Sequence, residues 1–198
     1  MDRAKLTRLL LVTSILYVVC FYFIGSAIKP GYSQVSNFVS EYNATGTPWA
    51  GTLTYAGYLV TAILLSAFLV SATPLAQVSG ISRAGFWLLW SIPASYFLAV
   101  IAPCDAGCPL EGSPSQLMHN FLAVVSYFGM GLAVAFMSLA PDFSAFKSRR
   151  IFMLLLGIAF PVVFIAMLQP EFASWRGLLQ RSLDIGLAIS LILIAWTL

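Results

Sequence analysis

The chain has 198 residues, of which 60% are hydrophobic and only 9% charged, against roughly 25% charged residues in a soluble domain. Its mean hydropathy is +0.92, and its net charge of +3 is carried by short connecting segments. These values exclude a water-soluble globule and point to a bilayer as solvent. The chain also has no basic patch interleaved with aromatics, which argues against nucleic-acid binding.

Apolar windows at 9–28, 51–73, 85–102, 116–140, 151–168 and 178–198 are each near the ~20 residues that cross a ~30 Å hydrocarbon core as helix. They predict one integral membrane domain over 1–198, all-α, a polytopic transmembrane six-helix bundle. The first window follows a basic start, as in a signal peptide. It is longer than the usual apolar region of one and no A-x-A site follows, so it reads as a retained span.

The segment after it, PGYSQVSNFVSEYNATGTPW, opens on a Lys-Pro-Gly turn that ends the first helix. Val35, Phe38, Val39 and Tyr42 recur at helical spacing, and Gln34, Asn37 and Glu41 recur on another face. This predicts a short amphipathic interfacial helix. Asn43-Ala44-Thr45 matches the glycosylation sequon, but so close to a membrane its modification is not expected. Pro93 and Pro161 fall inside the third and fifth windows and should kink those helices.

Basic residues give the orientation. Arg3, Lys5, Arg8, Arg83, Lys147, Arg149 and Arg150 share one side and outnumber Lys29, Arg176 and Arg181 on the other. The expectation is a multi-pass protein of the cell membrane with both termini cytoplasmic. The segments 29–50, 103–115 and 169–177 then face outward.

The most polar stretch between apolar runs is Pro103 to Asn120, PCDAGCPLEGSPSQLMHN. Ser113-Pro114 suits the start of the fourth helix and puts His119 about one turn in. Cys104 and Cys108 have the spacing C-x-x-x-C, not the redox spacing C-x-x-C. Outside the cytoplasm such a pair usually oxidises, and a disulfide here would hold Asp105 in place. Cys20, in the first span, reads as a small buried residue. His119 is the only histidine. Its spacing to Cys104, Cys108 and Asp105 fits no familiar zinc pattern, so no metal and no cofactor are expected. His119 reads either as an interfacial histidine bonded to a loop carbonyl or as an acid-base partner of Asp105 or Glu41. In the sixth window Arg181 and Asp184 share one helix face and can pair. Charges at that depth usually face the bundle interior.

Ser40-Glu41 after span one, Pro103 to Asp105 after span three, His119 opening span four and Gln180-Arg181 in the last span occur in this order along the whole chain. In this the sequence resembles the bacterial and archaeal membrane family named domain of unknown function 998. Tyr42 and Asn43 stand where many members have Leu-Gly. The resemblance implies a small multi-span protein and no particular activity.

Three functions fit these residues. In the first, an outward-facing polar pocket binds membrane lipid by its headgroup, or a small amphiphile, with Arg181, Gln180, Asp184 and Ser40 as ligand-binding groups. Arg181 is expected at its centre, bridging carboxylates. In the second, an intramembrane lipid hydrolase or transferase uses Glu41, Asp105 and His119 as acid-base residues. In the third, the cluster only holds helix ends together in a structural or accessory subunit.

Overall fold

The computed structural model describes residues 2–143 and 146–197, with the backbone alone at 142. Six long apolar helices make up the fold: α1 Arg3–Ile28, α2 Ala50–Leu75, α3 Ile81–Ile101, α4 Pro114–Met137, α5 Lys147–Met167 and α6 Arg176–Thr197. All six expected spans are present. Residue 198, the end of the last expected window, lies outside the described residues. Each helix is long and apolar enough to cross a membrane, and large apolar side chains such as Leu16, Phe23, Leu155 and Ile185 face outward. An outward apolar girdle around a packed interior is the form a bilayer stabilises. Cys20 belongs to that girdle: it is exposed, not buried as expected, because it sits on the face of α1 turned away from the other helices.

The interior is built from Phe68, Leu69, Leu89, Val134, Met137 and Phe160. Helices α4 and α5 cross where Gly131 meets Gly157. A Cβ added at Gly157 would lie 2.7 Å from the Gly131 carbonyl oxygen, and one at Gly131 would lie 2.8 Å from that of Gly157. Small residues at a crossing let two membrane helices approach backbone to backbone.

Of the two prolines expected to kink their helices, Pro93 interrupts its helix and Pro161 does not. Pro93 has no N–H for the Leu89 carbonyl, and its ring crowds that carbonyl. Helix α3 accordingly breaks into Ile81–Leu88 and Ser91–Ile101, with the Ile92 N–H donating to Leu89 O at 3.0 Å. Pro161 lies within an unbroken α5. In α2 the segment Leu53–Leu59 winds as π-helix, a widening that often marks a functional site. Gly57 lies in that segment where the Phe21 ring leaves no room for a side chain.

Arg8 Nε donates to the Ala195 carbonyl at 3.1 Å, which ties α1 to α6 at the end carrying both termini. The connections 29–49, 102–113 and 168–175 gather at the opposite end, the polar end. The helix expected after α1 is present only as a single 3-10 turn, Val39–Asn43. It does not lie flat with a wet face. Val39, Glu41, Tyr42 and Asn43 are all buried, and the turn plugs the mouth of the bundle over a second core of Phe21, Leu53 and Tyr58. Asn43 donates to the Ala99 carbonyl at 2.8 Å, so the sequon residue is an interior side chain.

Candidate functional site

The polar end is assembled by α6. Its Leu178 N–H donates to the Val35 carbonyl at 2.9 Å. Gly177 lets the backbone of residues 34–37 approach so closely that any side chain there would strike the Gln34 and Asn37 carbonyls. Arg181 completes the clamp. Its Nη1 donates to the carbonyls of Gln34 at 2.8 Å, Gly177 at 3.0 Å and Asn37 at 3.3 Å. Its Nη2 donates to the hydroxyls of Tyr32 at 2.6 Å and Tyr42 at 3.1 Å. The expected bridging of carboxylates is replaced by a fork on neutral acceptors. No ion pair joins Arg181 to Asp184 among the described residues.

Glu41 and Asp105 also have their oxygens occupied. Glu41 accepts from the Phe38 N–H at 2.9 Å and from Asn37 Nδ2 at 2.8 Å, and pairs with Arg176 at 3.4 Å. Asp105 accepts from the Ser113 N–H and hydroxyl, both at 2.8 Å. The backbone N–H first, then the hydroxyl, hold its carboxyl below the usual range. Ser113 in turn caps α4, its hydroxyl accepting from the Gln116 N–H at 3.2 Å. Lys29, at the end of α1, donates to the Tyr42 carbonyl at 3.0 Å, and burial lowers its pKa.

Cys104 and Cys108 stand at disulfide distance, their Cα atoms 5.1 Å apart. Ser40 Oγ lies 3.3 Å from Cys108 Sγ, and the Thr45 N–H donates to the Cys104 carbonyl at 2.8 Å. The bridge closes a loop within the α3–α4 connection, and these two contacts join that loop to the α1–α2 connection. The ligand atoms of Cys104, Cys108 and His119 lie within 4.8 Å of one another, but bonded sulfurs offer no thiolate to a metal. His119 Nδ1 meets the Ala102 carbonyl at 2.9 Å. A carbonyl only accepts, so that nitrogen carries the proton and Nε2 is the basic one.

Below this lid lies a cavity of about 470 Å³. It begins among Ser40, Pro109, Gln169 and Arg176 and runs inward between α3, α4, α5 and α6. Of the candidate site residues singled out from the sequence, Ser40, Cys108, His119, Gln180 and Asp184 line it together; Glu41, Cys104, Asp105 and Arg181 do not. Gln180 accepts from the Val39 N–H at 2.7 Å and donates to the Tyr127 hydroxyl at 2.9 Å. Asp184 accepts from the Tyr22 hydroxyl at 2.9 Å. Apolar walls come from Phe38, Ala123, Phe164, Met167 and Leu187. The exposed Val124 and Leu110 belong to both cavity and outer surface, which carries the cavity to the flank of α4.

Sequence reasoning missed Arg176, used above only for orientation, and the tyrosines Tyr22, Tyr58, Tyr96 and Tyr127, all of which line the cavity. The available signal was tyrosine placed within apolar windows, toward the polar end for Tyr22, Tyr58 and Tyr96 and mid-window for Tyr127, and for the first three that pattern also describes an interfacial aromatic belt.

Fold and cavity together define a multi-span membrane protein with a mixed polar and apolar chamber at one end of its bundle. The chain belongs to the family described as "Protein of unknown function (DUF998)", whose family model matches residues 11–197. No curated protein and no solved structure matches the chain.

Proposed function

We propose that the protein binds a membrane lipid by its headgroup, or a small amphiphile, in this cavity. The observation that carries the reading is the lining itself. Polar groups from His119, Gln180, Asp184 and Arg176 meet apolar walls from Phe164, Met167 and Ala123 in one space of about 470 Å³. That volume falls in the usual range of roughly 300–1,000 Å³ for small-molecule sites. A hydrolytic reading would need a carboxylate turned on His119. The oxygens of Glu41 and Asp105 are bonded elsewhere, which favours binding over catalysis. Native mass spectrometry of protein extracted in mild detergent tests this. We expect one bound amphiphile per chain, lost in Ala123→Trp, whose indole would fill the chamber. An unliganded wild type, or equal retention by a folded Ala123→Trp variant, would remove the reading.

The excess of basic residues at the end carrying both termini supports a cytoplasmic location for that end in the cell membrane. The cavity mouth would then face outward. Single cysteines placed at Glu111 and Lys147 in a background without native cysteines distinguish the two orientations. An impermeant maleimide should label position 111 and not 147 in intact cells. The reverse pattern would invert the proposed topology.

A further inference from the structure

We infer that the cavity recognises an ammonium cation, held by Asp184 within a wall of tyrosine rings; the inference rests on the amphiphile-binding reading. Asp184 lies inside α6 and lines the cavity. Among the described residues no lysine, arginine or histidine lies within ion-pair distance of it. Arg181, one turn away, is held by the neutral acceptors of the loop, with its guanidinium 5.8 Å from the Tyr22 ring centre. A carboxylate at membrane depth is costly without compensation and by default marks a functional position.

The hydroxyls around Asp184 are set for its charged form. The Tyr22 hydroxyl donates to Oδ2 at 2.9 Å. Tyr22 and Tyr96 hydroxyl oxygens lie 3.2 Å apart. With the Tyr22 proton directed at the carboxylate, Tyr96 is the donor in that contact. Two hydroxyl protons thus run in series toward Asp184, an arrangement that strengthens with negative charge on the acceptor.

The remaining wall is aromatic. Tyr22, Tyr58, Tyr96 and Tyr127 line the same space. The rings of Tyr58 and Tyr96 stand 6.0 Å apart at 44°, so they form a corner instead of a stack. Each flank is fixed from behind. The Tyr58 hydroxyl donates to the Val39 carbonyl at 2.5 Å. Tyr127 accepts from Gln180 and stacks on Phe164 at 4.7 Å. Rings anchored in this way cannot collapse onto the carboxylate. Phenol faces carry negative charge density and attract a cation. An anionic group would be repelled by Asp184, and a neutral one could offer it a hydrogen bond but no charge to balance its own. An ammonium, with its diffuse charge and apolar substituents, satisfies carboxylate and rings together. Its source is either a lipid headgroup or a free amine.

Isothermal titration of the detergent-solubilised protein with choline and with its neutral carbon isostere, 3,3-dimethylbutan-1-ol, isolates the charge. Choline should bind about tenfold or more tightly than the isostere. The preference should vanish in Asp184→Asn and in Tyr96→Leu and persist in Tyr96→Phe, which keeps the ring. In parallel, native mass spectrometry from nanodiscs of equal phosphatidylcholine and phosphatidylglycerol reads the source. Enrichment of the choline lipid assigns a headgroup, and choline binding without lipid enrichment assigns a free amine. Wild-type protein that prefers neither choline over its isostere nor one lipid over the other overturns the inference, as does a folded Asp184→Asn variant that keeps the preference. If amphiphiles are retained without preference, only the ammonium assignment falls. If none is retained, the binding reading falls with it.

Discussion

Replacing Arg181 with leucine is expected to lower the thermal midpoint of the detergent-solubilised protein by about 6–12 °C. This corresponds to roughly 3 kcal/mol for a chain of this length. The guanidinium satisfies carbonyls of Gln34, Asn37 and Gly177 and hydroxyls of Tyr32 and Tyr42. Leucine offers none of these bonds. The full loss is well below a sum over bonds, because Tyr32 also donates to the Asn37 carbonyl and freed hydroxyls can turn. Arg181→Lys should fall between wild type and leucine, since an ammonium keeps the charge but cannot span acceptors on both sides of the fork. The consequence reaches the cavity, because residues 38–40 of the clamped segment form part of its lid. A midpoint within about 2 °C of wild type for Arg181→Leu, less than ~1 kcal/mol on the same scale, would show that the loop is held by other contacts.

This clamp also explains what could be seen in the sequence and what could not. The spans were legible because hydrophobic length is a one-dimensional quantity, and lipid tolerates few alternatives to a helix of that length. The Ser113-Pro114 start of α4 was legible for a similar reason, since its signal is local. Partners of charged residues are not local. Arg181 and Asp184 are three apart on one helix face, which permits pairing. A fold that brings the Gln34 and Asn37 carbonyls against Gly177 gives the guanidinium better-placed acceptors, and nothing in the spacing of residues announces it. The segment 34–43 misled by its periodicity. Apolar residues at helical spacing indicate a buried face, but they do not say that Glu41 on the other face is buried too, beneath Arg176 and Asn37. The cavity was half legible. His119, Gln180, Asp184 and Ser40 drew attention as polar residues among apolar ones, whereas the tyrosines that share their space were camouflaged by composition.

The second large effect is expected at Gly157, far from any charge. Gly157→Ala should cost about 1–3 kcal/mol, and valine more, by overpacking. A Cβ there would lie 2.7 Å from the Gly131 carbonyl oxygen and 2.8 Å from both Ala135 N and Ala135 Cβ. Two of these are backbone atoms of α4, so neither rotates away, and relief requires the helices to separate. The fourth residue beyond Gly157 is Pro161, which has no N–H for the Gly157 carbonyl. That carbonyl presses against α4, and a Cβ on Gly131 would lie 2.8 Å from it. The crossing also sets the spacing of the chamber above it, since Tyr127 of α4 and Phe164 of α5 stack at 4.7 Å on the cavity wall. Prying the crossing open should therefore lower both the thermal midpoint, by about 2–12 °C, and the retention of bound amphiphile. Gly51→Ala is the matched comparison. Nothing lies within 4 Å of a Cβ at Gly51, which sits in the first turn of α2. That change should be neutral or stabilise by up to ~1 kcal/mol through helix propensity. Equal midpoints for Gly157→Ala and Gly51→Ala would mean that the α4–α5 contact is looser than its geometry requires. A lower midpoint with retention unchanged would separate the crossing from the chamber it borders.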